Sequence, residues 1–211
     1  SGNTCFVGCN LYGEGFLFSE KVEAGEPGSI QEARAIMERD PRASEVIMPY
    51  IGGYEISNDP FQRPYRMAIN FRDMSLVEAS NYPEALEVAK ARVKPERDKI
   101  QGGYSVAEVR KKNWWLYGTY TPALYQAIQG LTRVAAATYT SFYFCPSLLA
   151  AHCVFNKKAV VFAFNEKDPR FAVISSTIHQ AWVVQFGTTQ GTGVTYSPKT
   201  CYQSFPMPDF T

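Results

Sequence analysis

The stretch at residues 47–60, IMPYIGGYEISNDP, limits what this chain can fold into more than any other. It sets apolar and aromatic side chains beside a glycine pair and an Asn-Asp-Pro turn, with almost no charge, so neither a long helix nor an unbroken strand fits through it. Gly52-Gly53 allow positive φ and predict a tight turn between strands at 46–51 and 54–56. Asn58-Asp59-Pro60 predicts a second turn before the apolar run 65–71. The expected result is a strand–turn–strand–turn–strand corner. It forms a rigid platform in which Tyr50 and Tyr54 bury aromatic area and Arg63 and Arg66 project outward.

Similar punctuation recurs along the chain. Ser29-Ile-Gln-Glu32 has capping-box spacing and predicts a helix over 30–39, which Asp40-Pro41 ends because proline disfavours helical geometry in the residue before it. Asn81-Tyr-Pro-Glu84 is a second cap signature and predicts a helix to Arg92 that resumes after Pro95. Thr121-Pro122 opens a third helix, 123–131, with Leu124, Ile128 and Leu131 on one stripe. The remainder reads as strands at 134–144, 153–155 and 159–164, then one helix over 169–186. An almost uncharged loop follows at 187–199. These elements imply one α+β domain over residues 1–211, a twisted, mainly antiparallel sheet or partly open barrel with peripheral helices.

Composition removes several classes of function. A formal net charge of +1 gives no global attraction to nucleic acid or anionic membranes, so any basic surface must be local. No apolar run approaches a membrane span, and the opening residues lack a signal-type segment, so no membrane partner is expected. The five cysteines, Cys5, Cys9, Cys145, Cys153 and Cys201, lack the paired spacings of a zinc site; they read as reduced core thiols of a cytoplasmic protein, with no metal. The ends look like those of a module cut from a longer chain.

Catalytic signals are weak. His152 and Cys153 are neighbours, and in a strand such side chains point to opposite faces, which prevents a nucleophile–base pair. Asn58-Asp-Pro-Phe61 superficially matches the Asx-Pro-Pro-aromatic loop of DNA amino-methyltransferases but has Asp59 where proline is needed. The glycine-rich stretch 12–15 and the glycines at 187–193 lack the helix that a cofactor or phosphate loop requires. No catalytic or cofactor-binding residue is expected. Two other readings stay open: an interaction scaffold using Trp114, Trp115 and Trp182, and a small enzyme using Cys153 or His179.

Binding has more support. Arg63, Arg66, Arg72, the Arg110-Lys111-Lys112 run and the Lys157-Lys158 turn place cations on loops or beside aromatics, where they can neutralise phosphates. In the 187–199 loop, Gln190, Thr192, Thr195, Tyr196, Ser197 and Lys199 supply donors and acceptors of the kind that read base edges.

Six stretches in order, GEGF, VIMPYIGGYEISNDPFQRPYRMAINF, NYPEALEVAKARVKPERDK, NWWLYGTYTPALYQAI, ISSTIHQAWVVQFG and YSPKTCYQSFPMP, cover most of the chain. Together they resemble the target-recognition domain of the MmeI-like Type IIG restriction-modification DNA methyltransferases. The resemblance implies a non-catalytic module that binds double-stranded DNA and reads it through the major groove. A methyltransferase domain of the same parent chain would carry S-adenosylmethionine and methylate adenine, with or without endonuclease activity. It also implies that base-reading side chains lie before the closing Tyr-Ser and Phe-Pro pattern, hence at 187–199. The chain departs from the family's pattern by lacking an arginine there. Thr195 stands where a long basic reader is expected, which implies a different target base or a different reading residue.

Overall fold

The computed structural model describes residues 4–20, 28–100 and 105–210. They form two compact units, and the chain passes from one to the other after residues 8, 50, 63 and 122.

The unit built from 4–8, 51–63 and 123–210 is organised by two strands too apolar to face water on either side. Ala159–Phe162 is buried throughout and Arg133–Thr138 nearly so. They pair antiparallel at the centre of a four-stranded sheet, with Cys5–Val7 beside Ala159–Phe162 and Ser147–Ala150 beside Arg133–Thr138. Alternation sends Phe6, Val134, Ala136, Leu149 and Val161 to one face, against Leu124, Ile128, Ile56 and Phe155. Cys5, Ala135, Ala137, Val160 and Phe162 go to the other, against Phe144, Ile174, Val183 and Tyr196. Helices therefore cover both faces: Pro122–Ala127 on the first, Pro169–Ile174 and Thr177–Phe186 on the second.

In the other unit, strands run in the order Gly28–Ser29, Leu17–Ser19, Arg66–Ile69, Ile47–Ile51; only the first pair is parallel. Helix Ile30–Arg39 starts where expected, with the Ser29 hydroxyl accepting the Glu32 N–H at 3.2 Å. Ala33 and Ile36 are buried. Glu32 itself turns away from the cap to pair with Arg92 at 2.6 Å. Helices Leu76–Ala79, Pro83–Arg92, Lys94–Asp98 and Ser105–Lys112 complete the unit. Arg97 is buried and donates to the carbonyls of Leu11, Arg110 and Leu116, so it supports the loops around it through hydrogen bonds.

An α+β architecture with mainly antiparallel sheets is what the sequence predicts, and among the described residues no sheet closes into a barrel. Several local expectations are corrected. The strand expected at 134–144 ends at Thr138, the helix expected at 123–131 ends at Ala127, and Tyr54, expected to bury its ring, is exposed. The corner contains helix Gly53–Asn58 in place of a second strand, because the buried Glu55 carboxylate accepts the Gly52 N–H at 3.0 Å and starts a helix there; Gly52 has φ of −128°, so the glycine pair makes no positive-φ turn. Asn81 does not cap Pro83–Arg92: Tyr82 holds the cap position, and Glu84 pairs with Arg39. The segment 169–186 is two helices, because the Ser176 hydroxyl accepts the His179 N–H at 3.2 Å and begins a new one. Cys145 is exposed while the other four cysteines are buried, and none of the five forms a disulfide. Among the described residues no helix is long and apolar enough to cross a membrane.

His179 is fully buried among Phe144, Tyr196 and Phe205, and its Nε2 lies 3.0 Å from the Tyr196 hydroxyl. Burial pulls its pKa down from 6.5 to about 4, so the folded chain prefers the neutral ring. The unfolded chain takes up a proton first as the pH falls. The associated stability is therefore fully present above pH 6.5 and is lost progressively as the pH falls through the folded pKa, amounting to about 3 kcal/mol at most. Urea unfolding at stepped pH should show this slope in the wild type and not in His179→Gln.

Candidate nucleic-acid interface

A hairpin stands where the sequence reads as a loop. Helix Thr177–Phe186 ends at Gly187, whose missing Cβ lets Val194 and the Val183 carbonyl close on it. Strands Thr188–Gln190 and Gly193–Thr195 then pair antiparallel across Gly191-Thr192, with Gly191 at φ +60°. Thr140–Ser141 adds a third strand, placing Thr140 opposite Thr195 and Ser141 opposite Val194. The two-residue period puts Thr188, Gln190, Thr195 and Thr140 on one face and turns Val194 toward the core on the other.

Tyr139 joins this small sheet to the large one. It is the single residue between Arg133–Thr138 and Thr140–Ser141, and its peptide bonds both ways: the N–H donates to the Lys158 carbonyl and the carbonyl accepts the Tyr196 N–H, each at 2.8 Å. The Lys157-Lys158 turn is fixed in addition by the Asn156 carboxamide oxygen, which accepts the Lys158 N–H at 2.8 Å. Helix Gly53–Asn58 comes close on the same side. A Cβ at Gly53 would lie 3.3 Å from the Thr138 methyl and 3.5 Å from Lys158, and the Ser57 hydroxyl reaches Thr138 at 3.5 Å.

These segments enclose an open cleft of about 760 Å³. Helix 53–58 contributes Tyr54, Ser57 and Asn58, the strand junction contributes Thr138 to Thr140, the turn contributes Lys157 and Lys158, and the hairpin contributes Gln190. Two cations and no carboxylate line it among the described residues. The rest is hydroxyl, carboxamide and aromatic edge. Such a surface can neutralise phosphates while offering neutral hydrogen-bonding groups to a base edge.

The structure thus brings Gln190 together with Lys157 and Lys158. Thr192 is exposed at the hairpin turn, and Thr195 is half-buried on the same face as Gln190. Lys199 is exposed in the π-helical turn Pro198–Gln203, and the Ser197 hydroxyl caps that turn by accepting the Thr200 N–H at 3.3 Å. Tyr196 does not present itself to a ligand. It is 1% exposed, stacks on Phe144 at 4.2 Å and hydrogen-bonds to His179, because its ring completes the core under the hairpin. Arg63 lies in the same unit as the cleft, exposed, 3.6 Å from Asp59 and 4.9 Å over the Phe61 ring.

The remaining cations expected at phosphates belong to the other unit. There Arg66 lies over Tyr50 and Tyr65, Arg72 donates to the Glu45 carbonyl, and Arg110 stacks 3.8 Å above Tyr12. Lys111 and Lys112 are exposed in the last turn of their helix, where positive charge suits the free carbonyls. Sequence reasoning missed Tyr54, Ser57, Asn58, Thr138 and Thr140. The Gly52-x-x-Glu55 spacing was the available signal for the first three.

Other chemistries fare poorly. The Cys153 thiol is 2% exposed and burial pushes its pKa up to about 12, so it offers no thiolate; it sits in a different core cluster from the rings around His179. In the turn at 12–15 a Cβ at Gly15 would strike Arg92 and Val93 at 3.0 Å, so this glycine allows close packing on helix Pro83–Arg92. Trp114 and Trp115 pack edge to face, with the Trp115 indole donating to the Met74 carbonyl, and Trp182 packs on Phe186 and Phe205. All three are half-buried, which leaves little for a partner surface.

A family model described as MmeI, target recognition domain, matches residues 29–209. Among solved structures the chain is similar to the Type IIL restriction-modification enzyme MmeI, solved in complex with DNA. The TM-score is 0.71 at 16% sequence identity over 99% of this chain. The chain spans about a quarter of that protein's length, 25%. No curated protein matches it.

The hairpin depends on the space at Gly187. In Gly187→Ala the new methyl would lie 2.6 Å from the Val183 carbonyl oxygen, and relieving that contact should cost about 1–3 kcal/mol. Thermal unfolding should show a midpoint several degrees lower than the wild type.

Proposed function

The chain belongs to the MmeI target recognition domain family, and from that premise we propose that it is the non-catalytic, sequence-reading module of a restriction-modification DNA methyltransferase. The single domain of the sequence reading then corresponds to residues 1–211 as one recognition module. Its partners are double-stranded DNA and the methyltransferase domain of a Type IIG-style parent polypeptide, working in the cytoplasm where the cell's DNA lies. S-adenosylmethionine and the adenine-methylating groups belong to that other domain, which also decides whether the parent cleaves DNA.

The observation that carries this reading is the cleft, in which the hairpin's Gln190 and the turn's Lys157 and Lys158 share one wall with no acid among its described lining residues. The major groove of B-DNA is wide enough for a two-stranded β-ribbon, so a hairpin beside two lysines suits entry there. Lys157 and Lys158 would take phosphates and fix the register, with Arg63 and Lys199 as exposed candidates for further phosphate contacts. Gln190 and Thr192 would meet base edges, with Thr195 behind them. Tyr196 and Ser197 leave the readout set, the first as a core ring and the second as a cap. The cations of the other unit stay in the proposal only as Lys111 and Lys112, since Arg66, Arg72 and Arg110 hold rings or a carbonyl of their own unit. The module's task is to hold the duplex in register while the parent's catalytic pocket takes up the extruded adenine.

Duplex binding followed by fluorescence anisotropy across a salt series tests this. Affinity should fall steeply with salt, and Lys157→Ala with Lys158→Ala should lower the slope of log K against log salt by about 1.8 while leaving base preference unchanged. Gln190→Ala should instead relax one base position by roughly 1–3 kcal/mol and leave the slope alone. A folded chain indifferent to DNA even at low salt would sink the proposal.

A further inference from the structure

Gln190 reaches the cleft with its carboxamide already engaged. The Thr140 hydroxyl lies 3.3 Å and the Thr195 hydroxyl 3.4 Å from its Oε1, and the two hydroxyls are 3.0 Å from each other. Two hydroxyl protons serve these three contacts. Whichever way the Thr140–Thr195 bond runs, at least one hydroxyl remains to donate to the amide oxygen. The arrangement is built by the backbone. Thr140 stands opposite Thr195 across the strand pair, and a Cβ at Gly193 would lie 3.2 Å from the Thr140 methyl, so glycine there lets the hairpin close onto the Thr140 strand. Thr140 and Gln190 both line the cleft.

Resting on the DNA-reading proposal above, the geometry points to Thr140 and Thr195 as positioning residues that hold Gln190 with its amide NH₂ outward, making it a hydrogen-bond donor selective for guanine. A free glutamine can pair bidentately with adenine, donating to N7 and accepting from N6. With its oxygen held by hydroxyls, Gln190 faces an adenine edge with donor against the N6 donor. Guanine instead offers the adjacent acceptors N7 and O6, both suited to one NH₂ group. Thymine offers a single acceptor, O4, beside a methyl group. In this arrangement the base that Gln190 selects is set together with the two hydroxyls that hold its oxygen.

The test is selection of bound duplexes from a randomised DNA library by the 211-residue chain, with circular dichroism to confirm folding of each variant. The wild type should enrich guanine at one position, and Gln190→Ala should make that position degenerate. Thr140→Val combined with Thr195→Val, which keeps the shapes and removes both hydroxyls that reach the amide oxygen, should lower the preference for guanine over adenine there by roughly tenfold. Thr140→Ser combined with Thr195→Ser should restore it, since only the hydroxyls are required. Adenine, cytosine or thymine at the position that depends on Gln190, or a motif of the double valine variant identical to the wild type, overturns this inference while leaving the DNA-reading proposal standing. A folded wild-type chain that enriches no motif overturns both.

Discussion

The backbone of Tyr139 is the constraint on which the cleft and the proposed recognition surface depend. Its N–H is tied to the Lys158 carbonyl and its carbonyl to the Tyr196 N–H. One residue on either side of it, the chain belongs to a strand buried in the large sheet or to the outer strand of the hairpin sheet. The cationic turn and the hairpin thus take their positions from the same rigid core strand. A surface built this way needs little reorganisation to meet a rigid, periodic ligand, which fits a module whose task is to compare sequences.

A net charge of +1 conceals this surface because charge acts here by position. Several cations already serve the fold: Arg92 pairs with Glu32, Arg170 with Asp168 and Lys94 with Asp98, while Arg97 holds backbone carbonyls. Two lysines on a wall that carries no acid among the described residues lining it create a stronger local field than the sum over the chain suggests. The hydrophobic framework follows a similar division of labour. The strands Arg133–Thr138 and Ala159–Phe162 are covered on both faces, and Tyr196 carries that coverage under the hairpin, stacked on Phe144.

Much of the fold was legible because its signals are local. The Ser29 cap, the stop at Asp40-Pro41, the helix ending at Arg92 and the buried run from Ala159 each depend on neighbours a few residues away. The failures share one cause. Gly52-Gly53 reads as a turn until the Glu55 carboxylate is seen to take the Gly52 N–H. The 188–195 hairpin reads as a loop because its threonines, glycines and glutamine show no apolar alternation, and its pairing is stabilised by the distant strand Thr140–Ser141. Tyr196 reads as polar and reachable because its hydroxyl is visible in sequence while its aromatic neighbours are not.

By itself the sequence determined the class of the fold, several helix starts and stops, the core strands and the resemblance to a recognition-domain family, since each is written in short-range patterns or in the order of motifs. Only the tertiary structure decided that Gln190, Thr140, Lys157, Lys158 and the helix at 53–58 line one cleft, and that Tyr196 belongs to the core. The physical reason is strand register. Which side chains share a face across paired strands is set by backbone hydrogen bonds between segments tens to more than a hundred residues apart, and no local pattern records that choice.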